Sequence, residues 1–146
     1  MVEAASSERT VQCVVVTPER AVLDERVDFV ALPMYDGELG VLPGRAPLIG
    51  RLGYGELRIR RGERVQRFYV DGGFAQVRAN VVTVLTPKAI KGEDIDPATA
   101  QRAVEAATAP APTPQAREAQ TKAQQRARAQ LRVAQHSHGG GGSGHA

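Results

Sequence analysis

The sequence predicts a chain in two parts, a β-sandwich or barrel followed by a small helical region. Three observations carry that expectation. Between residues 11 and 86 short β-branched runs follow one another at regular spacing, closed by Gly, Pro, Asn or Asp, with no helical period among them. At Asp94-Ile95-Asp96-Pro97 the composition turns to Ala, Gln, Glu and Arg, which favour helix. Aromatics make up 4% and Trp is absent, so a core must be built from Val, Leu, Ile and Ala.

Val11 to Val16 is the first β-branched run and contains Cys13. Val27 to Leu32 is the next, with Val27, Phe29 and Ala31 assigned to one face and Asp28 to the other. Tyr35-Asp36-Gly37 is a turn signal, Glu38 to Leu42 a short strand broken by Pro43-Gly44, and Pro47 to Leu52 another strand. Leu57-Arg58-Ile59-Arg60 alternates apolar and basic residues, as a half-buried strand does. Arg61-Gly62-Glu63 then turns the chain into Val65 to Val70, which predicts a hairpin. Asp71-Gly72-Gly73 is taken as a further turn, Phe74 to Val77 as a strand, Ala79-Asn80 as a turn, and Val81 to Leu85 as the last clear strand. The total is about nine or ten strands.

Asp96 is placed to cap a helix, with Pro97 at the first helical position where its missing N–H costs nothing. Residues 98–107 form that helix. Residues 108–114 carry three prolines and predict a stiff extended connector. Gln115 to Gln135 resumes helix, with Ala116, Ala119, Ala123, Ala127, Leu131 and Ala134 on one face. So small a stripe buries little area and predicts weak attachment, which fits close packing on another helix and easy detachment alike, while the stiff connector favours an extended or unpacked second helix. The expected divisions are a flexible segment 1–10, a sandwich 11–92, a helical region 93–135 and a disordered Gly/His tail 136–146.

Charge divides unevenly. Residues 1–96 hold 13 basic and 14 acidic residues, whereas 97–146 hold 6 and 2. The basic end is read as a solvated helix face, and no aromatics interleave with its arginines to stack nucleic-acid bases. No apolar run reaches the 18 residues a membrane helix needs, and the first residues lack the pattern of a secretory signal. With one cysteine, the chain is expected to be soluble and intracellular, without a disulfide or a cysteine zinc site. All three histidines lie at the C-terminal end, so no Ser-His-Asp set assembles in the sandwich. The glycines match no phosphate-binding loop, and Asp36 and Glu38 read as carboxylates on one solvent face of a strand. A protein without catalytic groups, metal or cofactor, working by its surfaces, is expected. A free-standing sandwich module with a basic helical arm is the alternative within that class.

The segments Asp36-Gly-Glu-Leu-Gly-Val-Leu-Pro-Gly-Arg-Ala-Pro-Leu-Ile-Gly50, Gly53-Tyr-Gly-Glu-Leu-Arg-Ile59, Phe68-Tyr-Val-Asp-Gly-Gly-Phe74 and Asn80-Val-Val-Thr-Val-Leu85 resemble the epsilon subunit family of bacterial F-type ATP synthase. The likeness runs in order through residues 11–96, and Ala129-Gln-Leu-Arg-Val133 resembles the end of the family's second C-terminal helix. It implies a ten-stranded β-sandwich followed by two helices, in a non-catalytic rotor subunit that joins the gamma subunit to the c-subunit ring. It also implies a peripheral place on the cytoplasmic face of the inner membrane, and an arm that inhibits ATP hydrolysis through the alpha/beta catalytic head. By position, Asp36, Glu38 and Arg45 are implied to contact the c-ring, although arginine at 45 departs from the usual histidine. Ala46 and Leu48 are implied to face gamma, and Arg117, Lys122, Arg126, Arg128 and Arg132 to act in the arm. Some members bind ATP through Ile or Leu, Asp, two variable residues, then Arg-Ala. Ile95, Asp96 and Ala100 fit that pattern, but Thr99 replaces the arginine, and threonine supplies no positive fork for phosphate.

Overall fold

A computed structural model describes residues 9–138. Eight strands form one continuous sheet: β1 (Val11–Val16), β2 (Ala21–Val27), β3 (Phe29–Met34), β4 (Gly37–Val41), β5 (Leu48–Arg61), β6 (Arg64–Arg78), β7 (Val81–Leu85) and β8 (Ala89–Lys91). A single 3-10 turn (Gly92–Asp94) leads to α1 (Pro97–Ala106) and α2 (Pro114–His138). The strand order is β2-β1-β7-β6-β5-β3-β4, with β8 added to β6, and only β1 and β7 run parallel.

The sheet becomes a sandwich because β5 and β6 belong to both layers. The first half of β5 and the second half of β6 join β7, β1 and β2. The second half of β5 and the first half of β6 join β3, β4 and β8. This corrects the strand count to eight among the described residues. Pro47–Leu52 and Leu57–Arg60 are one strand, as are Val65–Val70 and Phe74–Val77. Asp71-Gly72-Gly73 is no turn: Gly72 and Gly73 take φ of +78° and +105° while the pairing continues on both sides of them. A Cβ on Gly73 would lie 2.0 Å from the Leu85 carbonyl oxygen, so this bend requires glycine.

Two further corrections concern the start of the sheet. The strand Ala21–Val27 escaped prediction because its Asp24-Glu25-Arg26 centre hides the alternation. Asp28 then breaks the run: its carboxylate accepts from Gly62 N at 2.6 Å and the chain shifts face. Val30 and Leu32 therefore point into the interior, in place of Phe29 and Ala31. The Gly62 and Ala79-Asn80 turns are as expected, with both Ala79 and Asn80 at positive φ, as a tight hairpin turn demands.

The interior between the layers is filled by Val11, Cys13, Val15, Leu57, Ile59, Phe68, Val77 and Val84, all at or below 1% exposure. Each such aliphatic or aromatic side chain contributes roughly 1.5–3 kcal/mol. A second, smaller cluster lies outside the sandwich, where Tyr69 and Ile95 meet Ala100 of α1 and Ala129, Val133 and Ala134 of α2. α2 is described through His138, so residues 136–138 are helical and do not belong to the expected disordered tail. The calls on residues 1–8 and 139–146 lie outside the described residues.

Cys13 provides a test of this core. Burial, with Glu25 and Asp24 behind it, pushes its thiol from an ordinary value of 9.0 up to about 12. Between those values the unfolded chain has lost the proton that the folded chain keeps. Stability is therefore intact below pH 9 and falls as pH rises toward 12. Native protein at pH 8 should resist thiol alkylation and react once denatured. A native labelling rate equal to the denatured one would refute the buried assignment.

Candidate partner-binding surfaces

No three metal-ligating side chains converge among the described residues. What the structure offers is three surfaces, set on different parts of the β5–β6 hairpin.

The first is the β3–β4 end. Asp36 sits in the turn before β4, whereas Glu38 is on β4 opposite Pro33, so the expected shared strand face does not exist. Glu38 is no free carboxylate: both its oxygens accept from Arg58, at 3.1 and 3.4 Å. Arg58 also lies 3.7 Å from Glu56, which in turn meets Arg67 at 3.6 Å and His136 Nδ1 at 2.7 Å. Arg45 lies beyond the far end of β4, in the loop where Gly44 N donates to Asn80 Oδ1 at 2.7 Å. The structure thus keeps Asp36 and Glu38 together and Arg45 apart from them.

The second surface is the outer face of β5, β6 and β7. Ala46 is exposed in the loop before β5, but Leu48 packs against the interior. Its neighbour Ile49 is 72% exposed, and the same face carries Phe74 and Leu85, each 52% exposed. Registry joins them: Arg51 pairs with Phe74, Phe74 with Leu85, and Ile49 with Gln76 beside them. The resemblance points to Leu48, whereas the exposed residue of the pair is Ile49; Leu-Ile fits either face of a strand, and the signal for its parity lies further along, in the fixed partners of the Ala79-Asn80 turn.

The third surface is the arm. Asp96 caps α1 as expected, its carboxylate accepting from Thr99 N at 3.2 Å and from Thr99 Oγ1 at 2.6 Å. These bonds hold the Asp96 carboxyl below its ordinary range. Ile95 and Ala100 are buried in the arm cluster. All three residues of the nucleotide-like pattern therefore cap or pack.

The Pro-rich connector does not hold α2 away, contrary to expectation. Thr113 and Pro114 repeat the Asp96-Pro97 device, Thr113 Oγ1 accepting from Ala116 N at 3.0 Å. Gln124 Nε2 donates to the Ala107 carbonyl at 2.8 Å and Gln120 Nε2 to that of Ala109. The glutamines satisfy connector carbonyls and fold the two helices into a hairpin. α2 then lies on the sandwich through its C-terminal half: Ala127 and Ala134 of the expected stripe are buried and Leu131 half-buried, while Ala119 and Ala123 stay exposed.

Arg126 is a clamp, its Nε donating to Asp71 at 3.1 Å and its guanidinium 4.8 Å over the Tyr54 ring. Tyr69 donates its hydroxyl to the same Asp71, and burial, reinforced by that carboxylate, raises its pKa far above the ordinary value. Arg117, Lys122, Arg128 and Arg132 are exposed and form no salt bridge among the described residues.

These features define a surface-acting module, a β-sandwich carrying a docked helical arm. The family model described as ATP synthase, Delta/Epsilon chain, beta-sandwich domain matches residues 10–92, more than half the chain. The ATP synthase epsilon chain of Rhodopirellula baltica is 56% identical over 98 residues, covering 67% of this chain and 77% of that one. That of Carboxydothermus hydrogenoformans is 48% identical over 93 residues, covering 64% and 69%. A chain in the Euglena gracilis mitochondrial ATP synthase, solved as an OSCP, F1 and c-ring assembly, superposes with a TM-score of 0.80 at 26% identity, over 88% of this chain and 82% of that one. A Tetrahymena thermophila chain from a mitochondrial ATP synthase central stalk and c-ring structure shares the fold, with a TM-score of 0.65 at 15% identity.

The chain belongs to the ATP synthase epsilon family. By that membership it is a non-catalytic type of subunit of the ATP synthase complex. No helix among the described residues is long and apolar enough to cross a membrane.

The arm's anchorage gives a direct test. Val133 is fully buried against the sandwich, so Val133→Ala should lower the opening free energy of α2 by roughly 1–3 kcal/mol. Hydrogen exchange should accelerate in α2 and stay unchanged in β1 and β7. Uniform acceleration across the sheet would show instead that the arm and sandwich open as one unit.

Proposed function

We propose that the sandwich joins the gamma subunit to the c-ring, and that α1 and α2 form a detachable arm that restrains ATP hydrolysis. The observation that carries this reading is the separation of the two apolar clusters. The sandwich has a complete interior of its own, while the arm rests on its outside through mostly small side chains. A module built this way keeps its shape when the arm lifts.

The exposed Ile49, Phe74 and Leu85 face fits gamma, because a contiguous apolar patch on a sheet face is a protein-binding feature. Leu48 acts from beneath by supporting that strand, and Ala46 borders it. The β3–β4 turn, with Asp36 and the Arg58-paired Glu38, is the part offered to the ring, and Arg45 serves a separate contact on the Asn80 side. Arg117, Lys122, Arg128 and Arg132, exposed and without a salt bridge among the described residues, are the cations with which the lifted arm meets an acidic surface of the alpha/beta head. Ile95, Asp96 and Ala100 serve the fold, and the subunit works without a bound nucleotide there or a metal. Its place is peripheral, on the cytoplasmic face of the inner membrane.

Two measurements test this. Reconstituted catalytic head plus gamma should hydrolyse ATP faster with a chain ending at Lys91 than with the full chain, at equal gamma binding. Loss of gamma binding on that truncation would overturn the division of labour. Separately, Ile49→Asp with Phe74→Asp should weaken gamma binding more than tenfold while costing the free subunit little stability, since both side chains are more than half exposed. Unchanged affinity would remove that face from the interface.

A further inference from the structure

A small polar cavity of about 160 Å³ lies where the last turn of α2 meets the edge of β6 and the 3-10 turn. It arises from the register. β8 pairs with β6 only over Phe68 to Val70, so β6 carries no strand on that side between Arg64 and Arg67. Above this open edge stands Ser137, set close by Gly92: a Cβ on Gly92 would lie 1.8 Å from Ser137 Oγ. Arg64, Arg67 and Lys91 line the cavity, against a single carboxylate, Glu93.

Two of its lining residues carry a buried polar atom without a hydrogen-bond partner among the described residues: Ser137 Oγ, and Arg67 Nε, which lies 3.6 Å from Glu56. Buried donors left in this way call for an occupant. Arg64 and Lys91 form no salt bridge among the described residues, and Arg67 has only Glu56 at 3.6 Å, which already serves Arg58 and His136. Water satisfies a hydroxyl and an N–H, but it brings no counter-charge to Arg64, Arg67 and Lys91. The carbonyl end of α2 disfavours an anion. Three cations outweigh that end and Glu93 together, and Ser137 presents a hydroxyl donor, not a main-chain carbonyl.

The geometry points to a binding site for a small oxyanion of the phosphate class, held by Arg64, Arg67 and Lys91 and capped by Ser137. Volume decides the class, since pockets for drug-sized ligands run from about 300 Å³ upward and this one takes a single phosphoryl group without a nucleoside. The residues involved are not those of the nucleotide-like pattern at 95–100. Because Ser137 belongs to α2 and the cations to β6 and β8, a bound oxyanion ties the arm to the sandwich. Binding itself does not rest on the proposed role in hydrolysis.

The test uses the full chain and inorganic phosphate, titrated calorimetrically against chloride at matched ionic strength. One saturable phosphate per chain is expected, with slower hydrogen exchange in the last two turns of α2. Arg64→Gln with Lys91→Gln, both exposed and neutral to folding, should weaken binding at least tenfold, whereas Arg20→Gln, an exposed cation on the β1–β2 turn, should leave it unchanged. ATP should compete with phosphate and adenosine should not, which places recognition in the phosphoryl group. No saturable binding, equal binding by the double variant, or competition by adenosine would each overturn the proposal.

Discussion

β5 and β6 pair from Leu48 opposite Val77 to Arg61 opposite Arg64, and every other element takes its position from that pairing. A ribbon this long cannot stay flat, because strands twist with one hand and the apolar faces at its two ends must both be covered. Gly72 and Gly73, both at positive φ, let it bend without losing the ladder, and a Cβ added at Gly73 would lie 2.0 Å from the Leu85 carbonyl oxygen. One end then offers its outer face at Ile49 and Phe74. The other end offers Tyr54, Glu56 and Tyr69 as a platform for the arm.

The energetics of the two clusters differ in kind. The interior is closed by Val, Leu, Ile and Phe from both layers, and no single strand can leave without exposing several of them. The arm contributes Ala100, Ala129, Ala134 and one Val, and a buried methyl group is worth only about 0.8 kcal/mol. Its ion pairs add little. Arg126 is 44% exposed beside Asp71, and pairs of that kind contribute roughly 0.2–1 kcal/mol. The arm's position is therefore set by many weak terms, which is the condition for local opening below the stability of the whole.

What the sequence made legible follows from the range of each signal. Alternation at Leu57-Arg58-Ile59-Arg60 and capping at Asp96-Pro97 are local, and both were read correctly. Asp71-Gly72-Gly73 was read as a turn because glycine marks a turn and a bulge alike, and only the continued pairing tells them apart. The Pro-rich connector reads as a strut until Gln120 and Gln124, eleven and seventeen residues from the carbonyls they satisfy, are brought back against it. The surroundings of the candidate contacts were hidden for the same reason. Glu38 is 20 residues from Arg58, and no pattern within β4 announces the partner that occupies it.

The basic excess of the helical region also changes meaning once the contacts are known. Arg126 is spent on Asp71 and Tyr54, and His136 lies against Glu56. Lifting the arm frees both side chains and leaves Asp71 and Glu56 beside Tyr69 and Arg67 without them. Lifting would leave the Arg126 guanidinium without its counter-charge on the arm, and the Asp71 carboxylate without its counter-charge on the sandwich face beneath. On the proposed function, an acidic partner for the arm is favoured by the same charge that holds it down, so docking and release compete above all for Arg126.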